Sequence, residues 1–376
     1  MYGSRCNACL KALVAAALLL ALFACTSHPS ARSTSTKSER SKAERSLILI
    51  DAKSGALDFS FPDAYGATSA ITDGRGGWYV GGSIKSVEET ARNGLAHLRG
   101  DGSLDSVFVP RMPKRDYVYS ILLHRNVLFV ACDTLGVVAL DAKTGTRLWR
   151  VSTSRDRVTS LAYWKGVLYV GGAFKHIGGA RRSGIAAIDP ATGKPTSWHV
   201  RTSGIAASVA MAIGKGVIYL GGGFNSVDGK KTPLGVAAIN ARTGRATSWT
   251  PRRKNGAGYF RDANSILVTH RQVLIGSVDE GFAAFSTRTG YALRWPERLE
   301  GNVCALAVSG DTVFLGGSPD SGFYRVGGKP AHSLASVVLP KGWFTNWRPN
   351  LGSSPGIYGL AVSGPKVLAA GYFSVP

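Results

Sequence analysis

An apolar run that stops at small residues recurs along this chain. The copies are WYVGG (78–82), LFVAC (128–132), LYVGG (168–172), IYLGG (218–222), LIGS (274–277), VFLGG (313–317) and VLAAG (367–371). Neighbouring copies lie roughly 40 to 55 residues apart. A period of that size marks units that cannot bury their apolar faces alone and do so against their neighbours.

A second signature falls between the runs: Asp141-Ala-Lys-Thr-Gly, Asp189-Pro-Ala-Thr-Gly, Asn240-Ala-Arg-Thr-Gly and Ser286-Thr-Arg-Thr-Gly. Each leads a few residues later to a tryptophan: Trp149, Trp198, Trp249 or Trp295. Arg99-Gly-Asp-Gly with Phe108, and Leu339-Pro-Lys-Gly with Trp347, are worn copies. The Gly supplies positive φ without a steric cost, and the Asp or Asn can accept from the backbone two residues on. One unit parses into four short strands, VTSLAYW, VLYVGGAF, SGIAAID and PTSWHV, with tight turns at Lys165-Gly166 and Ala191-Thr192-Gly193. No segment carries helical periodicity. Four-stranded units at this period predict an all-β chain folded as a β-propeller.

The two ends carry complementary halves of a unit. VLAAGYFSVP supplies two strands at the C-terminus, and SLILIDAKSGALDFSF supplies the second half near the N-terminus. The expected architecture is a seven-bladed propeller of four-stranded antiparallel blades. Its ring is closed by N-terminal strands that complete the last blade and leave no open edge. Apolar runs become inner strands, Gly pairs let blades approach, and each Trp wedges against the neighbouring blade. Small residues at Ser69, Ser120, Ser160, Ala210, Ser265, Cys304 or Ala305, and Gly359 fall on the first strands, where bulk would collide.

Residues 1–24 read as a signal peptide. Arg5 and Lys11 precede the apolar run Ala12–Phe23, which is short for a membrane span. Leu22-Phe23-Ala24-Cys25 resembles a bacterial lipobox, which implies acylation of Cys25 and export to a cell-membrane or outer-membrane anchor. Residues 25–46 then form the lipidated Cys and a polar tether, too poor in apolar residues to order itself. The propeller occupies 47–376. Of the five cysteines, Cys132 and Cys304 lie in strand patterns; they could pair in an exported protein, and two buried free thiols are the expectation.

The stretch ALDAKTGTRLW (139–149) resembles the tryptophan-docking repeat of the quinoprotein-like β-propellers, which include pyrroloquinoline-quinone dehydrogenases and a barrel-assembly propeller lipoprotein of the outer membrane. The G-G-x-F…G-G…R half of the unit resembles bacterial propeller-repeat lipoproteins of the same group. The resemblance covers about 47–376 and rests on packing and turn residues, so it speaks for fold more than activity. The dehydrogenases imply eight blades, a vicinal cysteine pair and a quinone held by calcium. This chain has seven units, no adjacent cysteines after residue 25, and no full calcium-ligand set that can be matched.

No H-E-x-x-H, P-loop, EF-hand or paired-Cys metal spacing is present, so no catalytic residue and no metal site are assigned. Gly352-Ser-Ser-Pro-Gly356 matches G-x-S-x-G but lacks the strand-to-helix turn a nucleophile elbow needs. The histidines are scattered singly, and His124 and His270 occupy turn positions. Arg115-Asp116, Arg155-Asp156 and Arg261-Asp262 each precede the small column by a few residues, which places them around one mouth of the channel. They would serve either as a ligand-binding mouth or as inter-blade bridges. The same face carries Lys175, His176, Arg181, Arg182, Lys230 and Lys231, and one connector carries Arg252, Arg253 and Lys254.

The formal net charge of +22 favours anionic partners over long range. Residues 1–24 contribute only Arg5 and Lys11 to it. Nucleic acid is not expected outside the cytoplasm, and no aromatic-plus-basic strand motif speaks for it. The reading is a monomeric, lipid-anchored binding or scaffolding module of the cell envelope, for a protein or anionic polymer and without cofactor. The rivals are a quinone-dependent oxidoreductase, with pyrroloquinoline quinone and calcium in the channel mouth, and a polysaccharide-acting enzyme built on two of Asp116, Asp156 and Asp262. An Arg beside each Asp would hold it ionised, which suits a salt bridge better than a general acid.

Overall fold

The computed structural model describes residues 44–374 apart from 115, 204–208, 233, 253–262, 278–280, 318–324 and 353–354. The expected signal peptide, Cys25 and most of the tether therefore lie outside the described residues. Among the described residues every regular element is a β-strand, and no helix is long and apolar enough to cross a membrane.

The first strands are Ala67–Thr72, Val118–His124, Val158–Trp164, Val209–Gly214, Ala263–Val268, Val303–Ser309 and Gly356–Ser363, and each sheet is named here by the residue that begins its first strand. The Val118, Val158, Val303 and Gly356 sheets have four antiparallel strands. The Ala67, Val209 and Ala263 sheets have three. In those three the expected fourth strand is reduced to one bridge: Leu98 with Leu104, Ile239 with Ala246, and Phe285 with Ala292.

Second strands account for the apolar runs. Trp78–Gly82 is buried at every position and Val167–Gly172 at all but its first, because each strand is covered on both faces by neighbouring sheets. The outermost strand Arg147–Val151 is mostly exposed. The Gly356 sheet joins the two ends of the chain in the order Leu57–Asp58, Glu44–Asp51, Lys366–Ser374, Gly356–Ser363. Ile48 stands opposite Ala369 and Leu49 opposite Leu368. Pairing continues past a bulge to Arg45 opposite Phe373 and Glu44 opposite Ser374, so this strand includes the last residues of the segment assigned to the tether. The Arg45 guanidinium donates to the carbonyls of Phe59 and Phe61, and the Asp63 carboxylate accepts the Ser46 and Leu47 amides, which fixes that start.

First strands of successive sheets pack on one another along the whole series, and Gly356–Ser363 packs also on Ala67–Thr72. The small column is the consequence. Ser69 faces Gly81, Ser120 faces Ala131, Ser160 faces Gly171, Ala210 faces Gly221, Ser265 faces Gly276 and Gly359 faces Ala370. Ala305 faces Gly316, so Ala305 and not Cys304 belongs to the column. A β-carbon on Gly81 would stand 2.6 Å from Val118 of the next sheet, and one on Gly316 2.5 Å from Ile357. The glycines are there because the next first strand occupies that space.

The tryptophans dock as expected onto the following sheet. Trp149 Nε1 donates to the Pro190 carbonyl and Trp249 Nε1 to the Ser286 carbonyl, each at 2.9 Å. The carbonyl belongs in both cases to the opening of the next sheet's turn signature. Cys132 is a buried free thiol. It is not paired with Cys304.

Candidate functional site

Of the Arg-Asp pairs, Arg115, Arg261 and Asp262 lie outside the described residues, as do Arg253 and Lys254 of the basic connector. Asp116 is buried, and its carboxylate accepts the amides of Tyr117 (3.1 Å), Thr134 (2.7 Å) and Leu135 (3.2 Å). Burial raises its pKa despite the bonds from Thr134 and Leu135, the reverse of an Asp held ionised by an adjacent arginine. Asp156, at the same place before the Val158 sheet, accepts the Lys175 amide at 3.4 Å. Both carboxylates thus tie down the loop between the second and third strands of their own sheet. Among the described residues Arg155 and Asp156 form no ion pair; the bridge between the Val118 and Val158 sheets is Arg157 with Asp133, at 3.4 Å. Both groups are about a third exposed, so the pair adds little stability.

Arg252 does not join the mouth. Its amide donates to the Gly290 carbonyl, and its guanidinium lies 5.8 Å from the Tyr291 ring centroid. Backbone pairing with that turn holds it at the outer edge of the Ala263 sheet.

A β-bulge recurs where sequence gave no hint of one. In six sheets the register skips the residue just before the small column: Thr68, Tyr119, Thr159, Asn264, Cys304 and Tyr358. A bulge re-aims one side chain per strand. Thr159 uses this to reach the next first strand, where its hydroxyl receives the Val209 amide at 3.0 Å and meets the Val209 carbonyl at 3.1 Å. The Thr68 hydroxyl meets the Tyr117 hydroxyl at 2.6 Å in the same way.

Four of the loops between second and third strands carry a short hairpin: Ser86–Val87 with Thr90–Ala91, His176–Ile177 with Ala180–Arg181, Ser226–Val227 with Lys230–Lys231, and Arg325–Val326 with Lys329–Pro330. Gly178-Gly179, Asp228-Gly229 and Gly327-Gly328 turn three of them with both residues at positive φ. A cation clasps the hairpin to the outer part of its sheet. Arg182 donates to the Arg181 and Thr196 carbonyls at 2.7 and 2.6 Å. Arg92 donates to the Ala91 and Asp105 carbonyls at 2.9 and 3.4 Å. In the Val209 sheet the Lys230 ammonium reaches the Ala246 and Thr247 carbonyls at 3.2 and 3.0 Å. The recurring Arg of the repeat is thus a structural clasp.

Sequence reasoning missed one cluster. His97 stands opposite Tyr79, at the place held by Ala187 opposite Tyr169 and Ala238 opposite Tyr219. Trp198 and Trp249 fill the space against those tyrosines, whereas in the Ala67 sheet the His97 ring stacks on Tyr79 at 4.3 Å. Its Nδ1 is 2.9 Å from the Asp105 carboxylate and its Nε2 3.2 Å from that of Asp73. Burial works against the Asp105 charge, but His97, the Val107 amide and Arg99 outweigh it and lower its pKa. Tyr79, buried and near both carboxylates, is pushed up to about 12. The readable signal was a His where four of the other copies have Ala, in the unit whose Trp is worn to Phe108. His124 is also no solvated turn residue: it stacks on Tyr163 at 3.8 Å.

A calcium-held quinone needs converging carboxylates. Asp116 is committed to backbone amides, and among the described residues no three of His, Cys, Asp or Glu gather to hold a metal.

The fold is shared with solved structures of low identity. The computationally designed Ika8 protein matches with a TM-score of 0.54 at 12% identity, over 88% of this chain and 100% of the designed one. Saccharomyces cerevisiae Sqt1 matches at 0.54 and 12%, over 84% and 98%. BamB from Moraxella catarrhalis aligns at 0.47 and 16%, over 88% and 91%. No curated protein matches the sequence significantly. The sequence profile described as outer membrane protein assembly factor BamB matches residues 118–327, more than half of the chain. That match covers the turn signatures and docking tryptophans of the Val118, Val158, Val209 and Ala263 sheets. The chain is a β-propeller with PQQ-like repeats, and it belongs to the BamB family.

Proposed function

We propose that this chain is an exported, lipid-anchored scaffold of the cell envelope that binds a protein or an anionic polymer on its hairpin-bearing face and acts as a monomer. The single observation that carries the reading is membership of a family described by an outer-membrane assembly factor. The basic hairpins Lys175–Arg182 and Lys230–Lys231 support an anionic partner, and the net charge of +22 agrees in sign. The propeller is read as a closed ring of seven blades. Support comes from first strands that pack in series, the last on the first, and from N-terminal strands sharing a sheet with the C-terminal pair. Cys25, after Leu22-Phe23-Ala24, is the proposed lipid attachment site.

The test compares the full chain with its Cys25→Ser variant in the native host. Detergent-phase partitioning of the first and its loss in the second is expected; equal partitioning would remove the anchor. Partner capture at low salt, compared with an Arg252→Ser, Arg253→Ser, Lys254→Ser variant, then tests the basic edge, and unchanged capture would count against it. A visible-range chromophore with dye reduction in the native protein would transfer the account to the oxidoreductase reading.

A further inference from the structure

A cleft of about 420 Å³ opens beside the hairpin of the Val158 sheet, lined by Lys175, His176, Arg181, Arg182, Gly184 and Thr202 among others. Three other surface clefts each include a carboxylate: Asp73 and Asp105 in one, Asp228 in the second, Glu297 and Glu300 in the third. The Val158 cleft has none in its lining. The carboxylate of Asp156 is turned to the Lys175 amide.

We infer that this cleft is a binding site for a phosphate-type oxyanion. His176 and Arg181 stand directly opposite each other on a two-residue ladder, both exposed. Side chains at such positions are about 5 Å apart at their β-carbons, and neither of these two makes a side-chain hydrogen bond among the described residues. The sister hairpins avoid this arrangement, with Ser86 opposite Ala91, Ser226 opposite Lys231 and Arg325 opposite Pro330. Nothing in the hairpin's own hydrogen bonding uses the His176-Arg181 pair, whereas an anion between them could accept from both.

The surroundings suit an acceptor with several oxygens. Arg181 and His176 can donate side by side, and Lys175 adds an ammonium on the same loop. Arg182 supplies fixed positive charge, because both its terminal nitrogens are committed to carbonyls. Its clasp is matched by Arg92 in a hairpin without the facing donors, so holding the hairpin and binding the anion are separable tasks. The inference deepens the reading of the hairpin face as the binding face and rests on it.

The experiment is calorimetric titration of the full chain in zwitterionic micelles at low ionic strength. One arm adds soluble polyphosphate; the other dopes phosphatidylglycerol into the micelles. His176→Ser with Arg181→Ser is expected to lose affinity by roughly tenfold. The double variant should fold, since Ser86 and Ala91 fill the same places in a sister hairpin, and an unchanged unfolding transition verifies this. Sensitivity in the polyphosphate arm assigns a soluble polymer, and sensitivity in the lipid arm alone assigns a headgroup. Equal binding by the double variant overturns this site but leaves the anion-binding face standing. Failure of the wild-type chain to bind either probe overturns both.

Discussion

Trp347 Nε1 donates to the backbone carbonyl of Asp51 at 2.9 Å, joining residues 296 positions apart in the chain. It is the same bond that Trp149 makes to Pro190 and Trp249 to Ser286, but here the receiving turn comes from the N-terminal segment. The indole is buried, in edge contact with Phe314 at 4.9 Å. Replacing Trp347 by Ala removes packing and bond together and should cost about 3–5 kcal/mol. Trp347→Phe keeps most of the packing and should lose about 1 kcal/mol through the bond. Denaturant titration of both variants checks the order; no loss in Trp347→Phe would mean the bond contributes nothing, and equal losses that the packing contributes nothing beyond it.

The column glycines give a second expectation. A β-carbon on Gly171 would lie 2.6 Å from the Ser160 hydroxyl and 2.9 Å from Val209 of the next sheet. Gly171→Ala must therefore push two first strands apart, at about 1–3 kcal/mol. Gly316→Ala, 2.5 Å from Ile357, should behave alike. Gly166 is the control: its turn is open, nothing stands within 4 Å, and only its positive φ opposes a side chain. Thermal midpoints that fail to separate the first two from the third would refute close approach as the reason for the glycines.

Much of this was legible because repeated units repeat their contacts. The apolar runs, the turn glycines and the docking tryptophans each occur several times, so their common role stands out from local chance. The split unit at the ends was readable for the same reason. What could not be read depends on a single copy or on register. A bulge adds one residue without changing composition, so Thr159 and Tyr358 looked like ordinary strand residues. Asp116 was next to Arg115 in sequence, but its partners are amides of Thr134 and Leu135, brought near only by folding. His97 belongs to a unit whose tryptophan is replaced by Phe108, and the carboxylates of Asp73 and Asp105 complete it.

Two carboxylates should give opposite pH signatures. Asp105 has a pKa below its ordinary 3.8, so its contribution to stability is present above that value and is lost as pH falls through the lowered one. The stability gap between the native chain and Asp105→Asn should thus narrow on acidification below about pH 4. Asp116 is shifted upward by burial, so its contribution is full below 3.8 and is lost as pH rises through the raised value. Relative to Asp116→Asn, the native chain should lose stability as pH increases across that window. Unfolding free energies from acid to neutral pH, taken on both variants, check the two signs; slopes of the same sign would show that one environment is misassigned.

The two adjacent arginines of the Val158 hairpin should separate by phenotype. Arg182 is half-buried and donates to carbonyls of its own hairpin and of the outer strand. Its loss leaves the Thr196 carbonyl short of a donor and frees the hairpin, so Arg182→Ala should destabilise by about 1–2 kcal/mol. Arg181 is exposed, faces His176, and makes no side-chain hydrogen bond among the described residues. Arg181→Ala should leave stability unchanged within about 0.5 kcal/mol. Hydrogen exchange at the Arg182 amide, which donates to the Lys175 carbonyl at 2.8 Å, reports the hairpin directly. Protection there should survive the first arginine's replacement and fall with the second's. A loss of protection in Arg181→Ala would make both residues structural and leave the cleft without a dedicated anion donor.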